Sequence, residues 1–212
     1  MFTTVLSKNA TRALALLGKN KTLPEKTYLA GGSSLALQYG HRISVDFDFF
    51  TPTDFKGQNI VKKLERIGRF VFQEAAEKNT LLGLFKNVKF SLFLYEYPLV
   101  FKPIEYLGIL LADPKDIAAM KLAAVMDRGT KKDFIDLFFL NKNGVSIEQA
   151  LKYYDKKYKN LANNIYSLVK SLSYFEDAEK LEMPDMIEKI NWEKVKTFFK
   201  QETILLAKKY LE

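Results

Sequence analysis

The chain contains no cysteine and only one histidine, His41, among its 212 residues. The first absence excludes disulfide scaffolds, thiolate metal sites and cysteine nucleophiles. The second excludes histidine-rich metal clusters and multi-histidine phosphatase sites. Long hydrophobic runs are also missing. The longest stretch without a formal charge, Thr27 to His41, holds glycines, serines and a glutamine, whereas a membrane-spanning helix needs ~20 mostly apolar residues. Lys8, Asn9 and Arg12 interrupt the N-terminus and make it a poor secretory signal. A cytoplasmic protein without a membrane partner is therefore expected. Hydrophobic residues at 48% and charged residues at 27% give the balance of a globular protein with a real core. Lys plus Arg is 33 against 25 for Asp plus Glu, a net charge of +8. Such a charge suits a polyanionic partner or substrate, although many basic surfaces have no such role.

The punctuation changes along the chain. Pro24, Pro52, Pro98, Pro103 and Pro114 fall in the first part, and only Pro184 lies beyond. Residues 1–112 read as an α/β lobe. Tyr28-Leu29-Ala30 is a short apolar run, Ser33 to Tyr39 a brief helix, and Ile60 to Ile67 an amphipathic helix. Val45 to Phe49, Phe70 to Phe72, Leu81 to Phe85 and Val88 to Tyr95 read as strands, with Tyr106 to Leu111 as one more. Residues 113–212 read as a helical lobe. Asp113 is placed as an N-cap with Pro114 at the first helical position. Helices then cover Ile117 to Met126, Lys132 to Leu140, Ser146 to Tyr158, Leu161 to Leu172 and Trp192 to Leu211. The fold class is α+β, with a mixed sheet followed by helices.

Chemistry concentrates between Gly31 and Asp48. A glycine pair after a strand lets the backbone approach a phosphate, and the free N–H groups of the next helix can hold the anion. Alternation puts Asp46 and Asp48 on one face of their strand and Phe47 and Phe49 on the other. Two carboxylates at i and i+2 point the same way, as a shared Mg²⁺ requires. Alone, a Gly-Gly turn is usually just a turn, and an Asp-x-Asp strand usually a solvated face. Together, at this spacing, they point to in-line displacement on a nucleoside triphosphate.

Gly31-Gly-Ser-Ser-Leu-Ala-Leu-Gln, Gly40-His-Arg-Ile-Ser and Asp46-Phe-Asp-Phe-Phe resemble the nucleotidyltransferase toxins of abortive-infection systems (AbiEii/AbiGii type). Asp116-Ile-Ala-Ala-Met-Lys121 and Arg128-Gly-Thr-Lys-Lys-Asp133-Phe-Ile-Asp136 resemble the same family's downstream signature. The resemblance runs from about Tyr28 to Leu140. It implies a polymerase-β-like nucleotidyltransferase lobe joined to a helical lobe, and Mg²⁺-dependent transfer of a nucleotide from an NTP to tRNA or another RNA. A cognate antitoxin would be the protein partner. Carried over by motif, Gly32 and Ser33 would hold the triphosphate, and Asp46 and Asp48 the metal. Lys121 and an aspartate, Asp133 in preference to Asp136, would complete the site.

Several residues stay open at this level. Arg42 could grip a phosphate or pair with a neighbouring acid, and His41 reads as structural. Lys121 could equally be a solvated cation, and Asp136 the partner of Lys132 at i, i+4. Tyr153, Tyr154 and Tyr158, interleaved with Lys152, Lys156, Lys157 and Lys159, fit either a nucleic-acid surface or an amphipathic helix. Polymerase-β-like sites usually add a third carboxylate on a later strand, where Ser91 stands here. One well-held Mg²⁺, recruitment of Glu96 at the strand's end, or lost activity would each answer that gap. A non-catalytic nucleotide- or RNA-binding module of the same fold, or nucleotide transfer to a protein, are the alternative functions.

Overall fold

The structure is a computed structural model that describes residues 1–73 and 79–212. These residues gather into two compact units, Met1–Asp113 and Pro114–Glu212.

The first unit is built on a mixed seven-stranded sheet. Its strands are β1 (Tyr28–Leu29), β2 (Asp46–Thr51), β3 (Phe70–Phe72), β4 (Thr80–Phe85), β5 (Val88–Leu94), β6 (Ile104–Tyr106) and β7 (Ile109–Leu111), in the order β3-β4-β5-β2-β1-β7-β6. β2 lies parallel to β5 and antiparallel to β1, and β1 lies parallel to β7. The helices are α1 (Lys8–Lys19), α2 (Gly31–Tyr39) and α3 (Gly57–Ile67). Ser7 starts α1 by accepting a hydrogen bond from the Ala10 N–H at 3.1 Å, and Ala10, Ala13, Leu14 and Leu17 form its buried stripe. That stripe, Ile60 and Leu64 of α3, and Leu29, Phe47, Phe49, Phe90, Leu92 and Leu111 of the sheet make one core. Only one sheet face supplies it. Asp46, Asp48 and Phe50 alternate with the core residues of β2 and occupy the opposite face.

The structure departs from the sequence reading in several places, three of them next to the sheet or within it. Helix α1 is an element the apolar pattern left unassigned. The expected single strand from Tyr106 to Leu111 is a hairpin, β6 and β7, turned at Leu107 and Gly108 with φ of 52° and 76°. Positive φ at both central residues marks a type I′ turn, and Leu-Gly is an unusual sequence for it. Helix α2 begins at Gly31, two residues before its expected start.

The second unit consists of α4 (Pro114–Asp127), α5 (Lys131–Lys142), α6 (Ile147–Tyr158), α7 (Leu161–Ser171), α8 (Glu176–Glu179) and α9 (Trp192–Tyr210). Phe134 centres its core, with ring centroids 5.1 Å from Phe175, 5.2 Å from Phe199 and 6.0 Å from Trp192. Each such ring stabilises the fold by ~1.5–3 kcal/mol through burial. Ser146 and Gln149 close a capping box at the start of α6. The Tyr/Lys series of α6 and its C-cap divides: Lys152, Lys156 and Lys159 are exposed, and Tyr153 and Tyr158 half-buried. Tyr154 is buried, and its hydroxyl accepts a hydrogen bond from Asn164. Lys157 pairs with Asp116 at 3.0 Å with both side chains fully buried. A nucleic-acid surface through Tyr154 and Lys157 is thus excluded, because neither side chain reaches solvent. Among the described residues, no helix is long and apolar enough to cross a membrane.

Candidate active site

In the first unit the turn and the carboxylate strand come together by backbone pairing. The Ala30 N–H donates to the Asp48 carbonyl at 3.1 Å, which sets the end of β1 against the middle of β2. Gly31 then takes a φ of 64°, a left-handed conformation suited to glycine, and starts α2. A Cβ on Gly31 would sit 3.3 Å from Asp48 Oδ2, so this carboxylate lies directly against the helix start. A Cβ on Gly32 would overlap the guanidinium of Arg42. Arg42 is itself buried and donates from Nη1 to the Ile43 carbonyl at 3.1 Å. Ser33 is buried as well. Its hydroxyl donates to the Asp46 carbonyl and lies 2.9 Å from the Ser44 hydroxyl. The Ser33 side chain therefore ties α2 to the start of β2, and what the turn can offer an anion is backbone N–H. No side chain caps the first turn of α2, which leaves that end with the partial positive charge that attracts phosphate. His41 is buried, in keeping with a structural role.

The parallel pairing of β2 with β5 completes the face. Asp46 stands level with Lys89, Asp48 with Ser91, and Phe50 with Phe93, and laterally paired residues project to the same side. Ser91 is buried at the position where a third acid was expected. Glu96 lies exposed beyond the end of β5. Among the described residues no third His, Cys, Asp or Glu joins Asp46 and Asp48 in a metal-binding group. Oxygen donors of this kind suit a hard cation such as Mg²⁺, which keeps several waters and needs only one or two carboxylates. The electrostatics agree. At a helix start that attracts anions, with Asp48 against it, a bound cation would screen the carboxylate from an incoming anion. A groove lined by Phe55, Val61, Phe72 and Leu81 contains none of these residues.

Lys121 and Asp133 belong to the second unit, where they form a buried cluster of their own. Lys121 Nζ lies 2.8 Å from Asp133 Oδ1 and 2.6 Å from Asp136 Oδ2. Asp133 also receives Arg128 Nε at 3.1 Å and the Thr130 hydroxyl at 2.6 Å. Burial alone would raise the Asp133 pKa. Lys121 and Arg128 outweigh it and hold the carboxyl down at about 2. Asp136 is fully buried on Lys121, so its reading as the surface partner of Lys132 is overturned: a helix face turned into the core has no solvated lysine opposite it. Arg128, by contrast, keeps 61% of its side chain exposed.

Sequence reasoning missed Phe50 as a member of the carboxylate face, whereas alternation along β5 already sets Lys89 and Phe93 on the side of Ser91. Extending the Asp46-x-Asp48 alternation by one step would have found Phe50. Which residue of β2 Lys89 and Phe93 each stand level with depends on the β2–β5 register, which no local pattern encodes.

The chain and its fold are similar to known proteins. Residues 14–98 and 94–208 match the family described as nucleotidyl transferase AbiEii toxin, type IV TA system. An uncharacterised protein of Aquifex aeolicus (strain VF5) is 46% identical over 193 residues, covering 87% of this chain and 88% of its own. The crystal structure of JHP933 from Helicobacter pylori shares the fold with a TM-score of 0.58 at 20% identity, covering 96% of this chain and 94% of that one. MenT4, a nucleotidyltransferase toxin from Mycobacterium tuberculosis H37Rv, does so with a TM-score of 0.63 at 14% identity, over 94% and 82%. The α+β fold is thus that of nucleotidyltransferase toxins. With the family match running through both units, the chain belongs to the AbiEii nucleotidyltransferase toxins of type IV toxin–antitoxin systems and is a nucleotidyltransferase.

Proposed function

We propose that this nucleotidyltransferase moves a nucleotide from an NTP onto RNA, tRNA being the favoured acceptor, in a Mg²⁺-dependent reaction in the cytoplasm. It does so as the toxin partner of a cognate antitoxin. The observation that carries the reading is the contact of Asp48 with the Gly31 start of α2, with Asp46 on the same strand face. The family and the toxin title of MenT4 support the biological role.

In this reading the backbone N–H groups at Gly31, Gly32 and Ser33 hold the leaving end of the triphosphate. Arg42, packed on Gly32, adds positive charge behind them. Asp46 and Asp48 would hold Mg²⁺, which when bound would neutralise phosphate oxygens and lower the barrier to displacement. The acceptor hydroxyl oxygen forms a bond to the α-phosphorus and the α–β anhydride bond breaks. Pyrophosphate leaves, and the hydroxyl proton passes to solvent. Ser33 contributes by keeping β2 and α2 in register, so that carboxylates and anion site stay adjacent.

Incubation with each labelled NTP, Mg²⁺ and either total RNA or lysate tests this. A labelled RNA band is expected. Label on a protein would overturn the acceptor, and no label with any NTP would overturn the reaction.

A further inference from the structure

Past Asp48 the carboxylate face of the first unit turns aromatic. Phe50 follows by two residues on β2, about 7 Å further along the strand on the same side. Tyr28 stacks on it at 5.9 Å with an interplanar angle of 23°. Phe93 lies 5.4 Å and Tyr95 5.2 Å from Phe50, and Tyr97 lies 5.3 Å from Tyr95. None of these rings belongs to the core on the opposite face. Phe50, Phe93 and Tyr95 are half-buried, and Tyr97 is 45% exposed.

The anion site lies at the other end of the same row. β1 runs antiparallel to β2, so Tyr28 is level with Phe50 while Ala30 bonds to Asp48. Gly31 and Gly32 consequently fall on the side of Asp46. In an in-line displacement the leaving and attacking oxygens sit on opposite sides of the phosphorus. With pyrophosphate departing toward Gly31 and Gly32, the acceptor hydroxyl arrives from the side of Phe50. We propose that Phe50, Phe93, Tyr95 and Tyr97 form a shelf on which the terminal base of the acceptor strand stacks, so that the acceptor is a nucleic acid with an unpaired end. The assignment rests on the reading of Asp46 and Asp48 given above. Stacking suits this task because every base has a π-face, and aromatic side chains hold single-stranded ends with little regard to sequence.

The test uses the whole protein without NTP, titrated with a short single-stranded RNA that carries 2-aminopurine as its 3′-terminal base. A second RNA is identical but abasic at that position. Tyr97→Ala and Phe50→Leu should weaken binding of the first RNA by roughly 5- to 150-fold, while Tyr97→Phe keeps it. The abasic RNA should bind the wild type weakly and ignore all three substitutions, a result that general loss of structure would not give. Equal affinity for both RNAs across all proteins would sink the shelf. So would a fall in NTP affinity with RNA binding unchanged, because the rings would then hold the incoming base. The parent reading fails separately. Terminal-base-dependent RNA binding with no transfer from any NTP would refute the reaction and leave the shelf standing. Transfer onto RNA unaffected by either substitution would do the reverse.

Discussion

At the scale of single residues, the site turns on which side chains β2 and β5 set level with one another. Asp46→Asn and Asp48→Asn should each lower nucleotide transfer on the order of 100-fold or more, because a neutral amide is a poor ligand for a hard cation. Both side chains are only half-buried, so unfolding midpoints should move by less than about 1 kcal/mol in stability. Wild-type turnover in either variant would refute the metal assignment. Ser91 is level with Asp48, and Ser91→Asp should therefore add a third carboxylate to the pair. Without Mg²⁺ the variant should melt below the wild type, since like charges on paired strands repel. Adding Mg²⁺ should raise its melting temperature more than that of the wild type, through tighter binding to the folded state. An unchanged Mg²⁺ response would mean that the metal lies elsewhere. The alternation of Asp46 and Asp48 against Phe47 and Phe49 was legible in the sequence, because a period of two is local. So was the side of β5 that carries Lys89, Ser91 and Phe93, but not which of them stands level with which residue of β2, because strand register is a long-range property.

At the scale of elements, α4 and α5 are clamped by Lys121 between Asp133 and Asp136. Lys121→Met should cost about 3–5 kcal/mol, because it takes the shared cation away from two buried carboxylates, of which Asp133 keeps Arg128 and Thr130. Chemical denaturation measures this directly, and a cost below 1 kcal/mol would place the lysine in solvent. The acid response follows from Asp133. Its folded pKa of about 2 lies below the ordinary value of 3.8, so folding favours the ionised form. That stabilisation is complete above pH 4 and fades as the pH falls through the folded value. Stability should drop between about pH 4 and 2, and Asp133→Asn should flatten that part of the curve at lower overall stability. The helices α4 to α7 and α9 were readable from caps and periodicity. β1 was readable as an apolar run before the glycine pair, but its partners β2 and β7 were not, because two residues carry no period and pairing is long-range. The β6–β7 hairpin was hidden by a Leu-Gly turn in place of the usual Asn-Gly.

At the scale of the whole molecule, the net charge of +8 should act over distance on a polyanion. The logarithm of the affinity for single-stranded RNA should fall linearly with the logarithm of salt concentration, with a slope of about −0.7 per neutralised phosphate. A filter-binding series from low to high salt measures it, and a flat line would remove RNA as the partner. The sheet order has a further consequence, one of timing. β1 is held on one side by β2 and on the other by β7, with Tyr28 paired to Leu110. A ribosome emits residues in order at ~5–20 per second, and domains fold as their parts emerge. Strand β1 and the glycine turn behind it therefore wait for residues more than a third of the chain away. A nascent chain with only its first 100 residues outside the tunnel has both aspartates and both glycines but no β7 to lock them. Stalled chains exposed to residue 100 should be digested readily around Gly31, and those exposed to residue 113 should resist. During its own synthesis, a protein that harms the cell would stay harmless until the closing strand arrives.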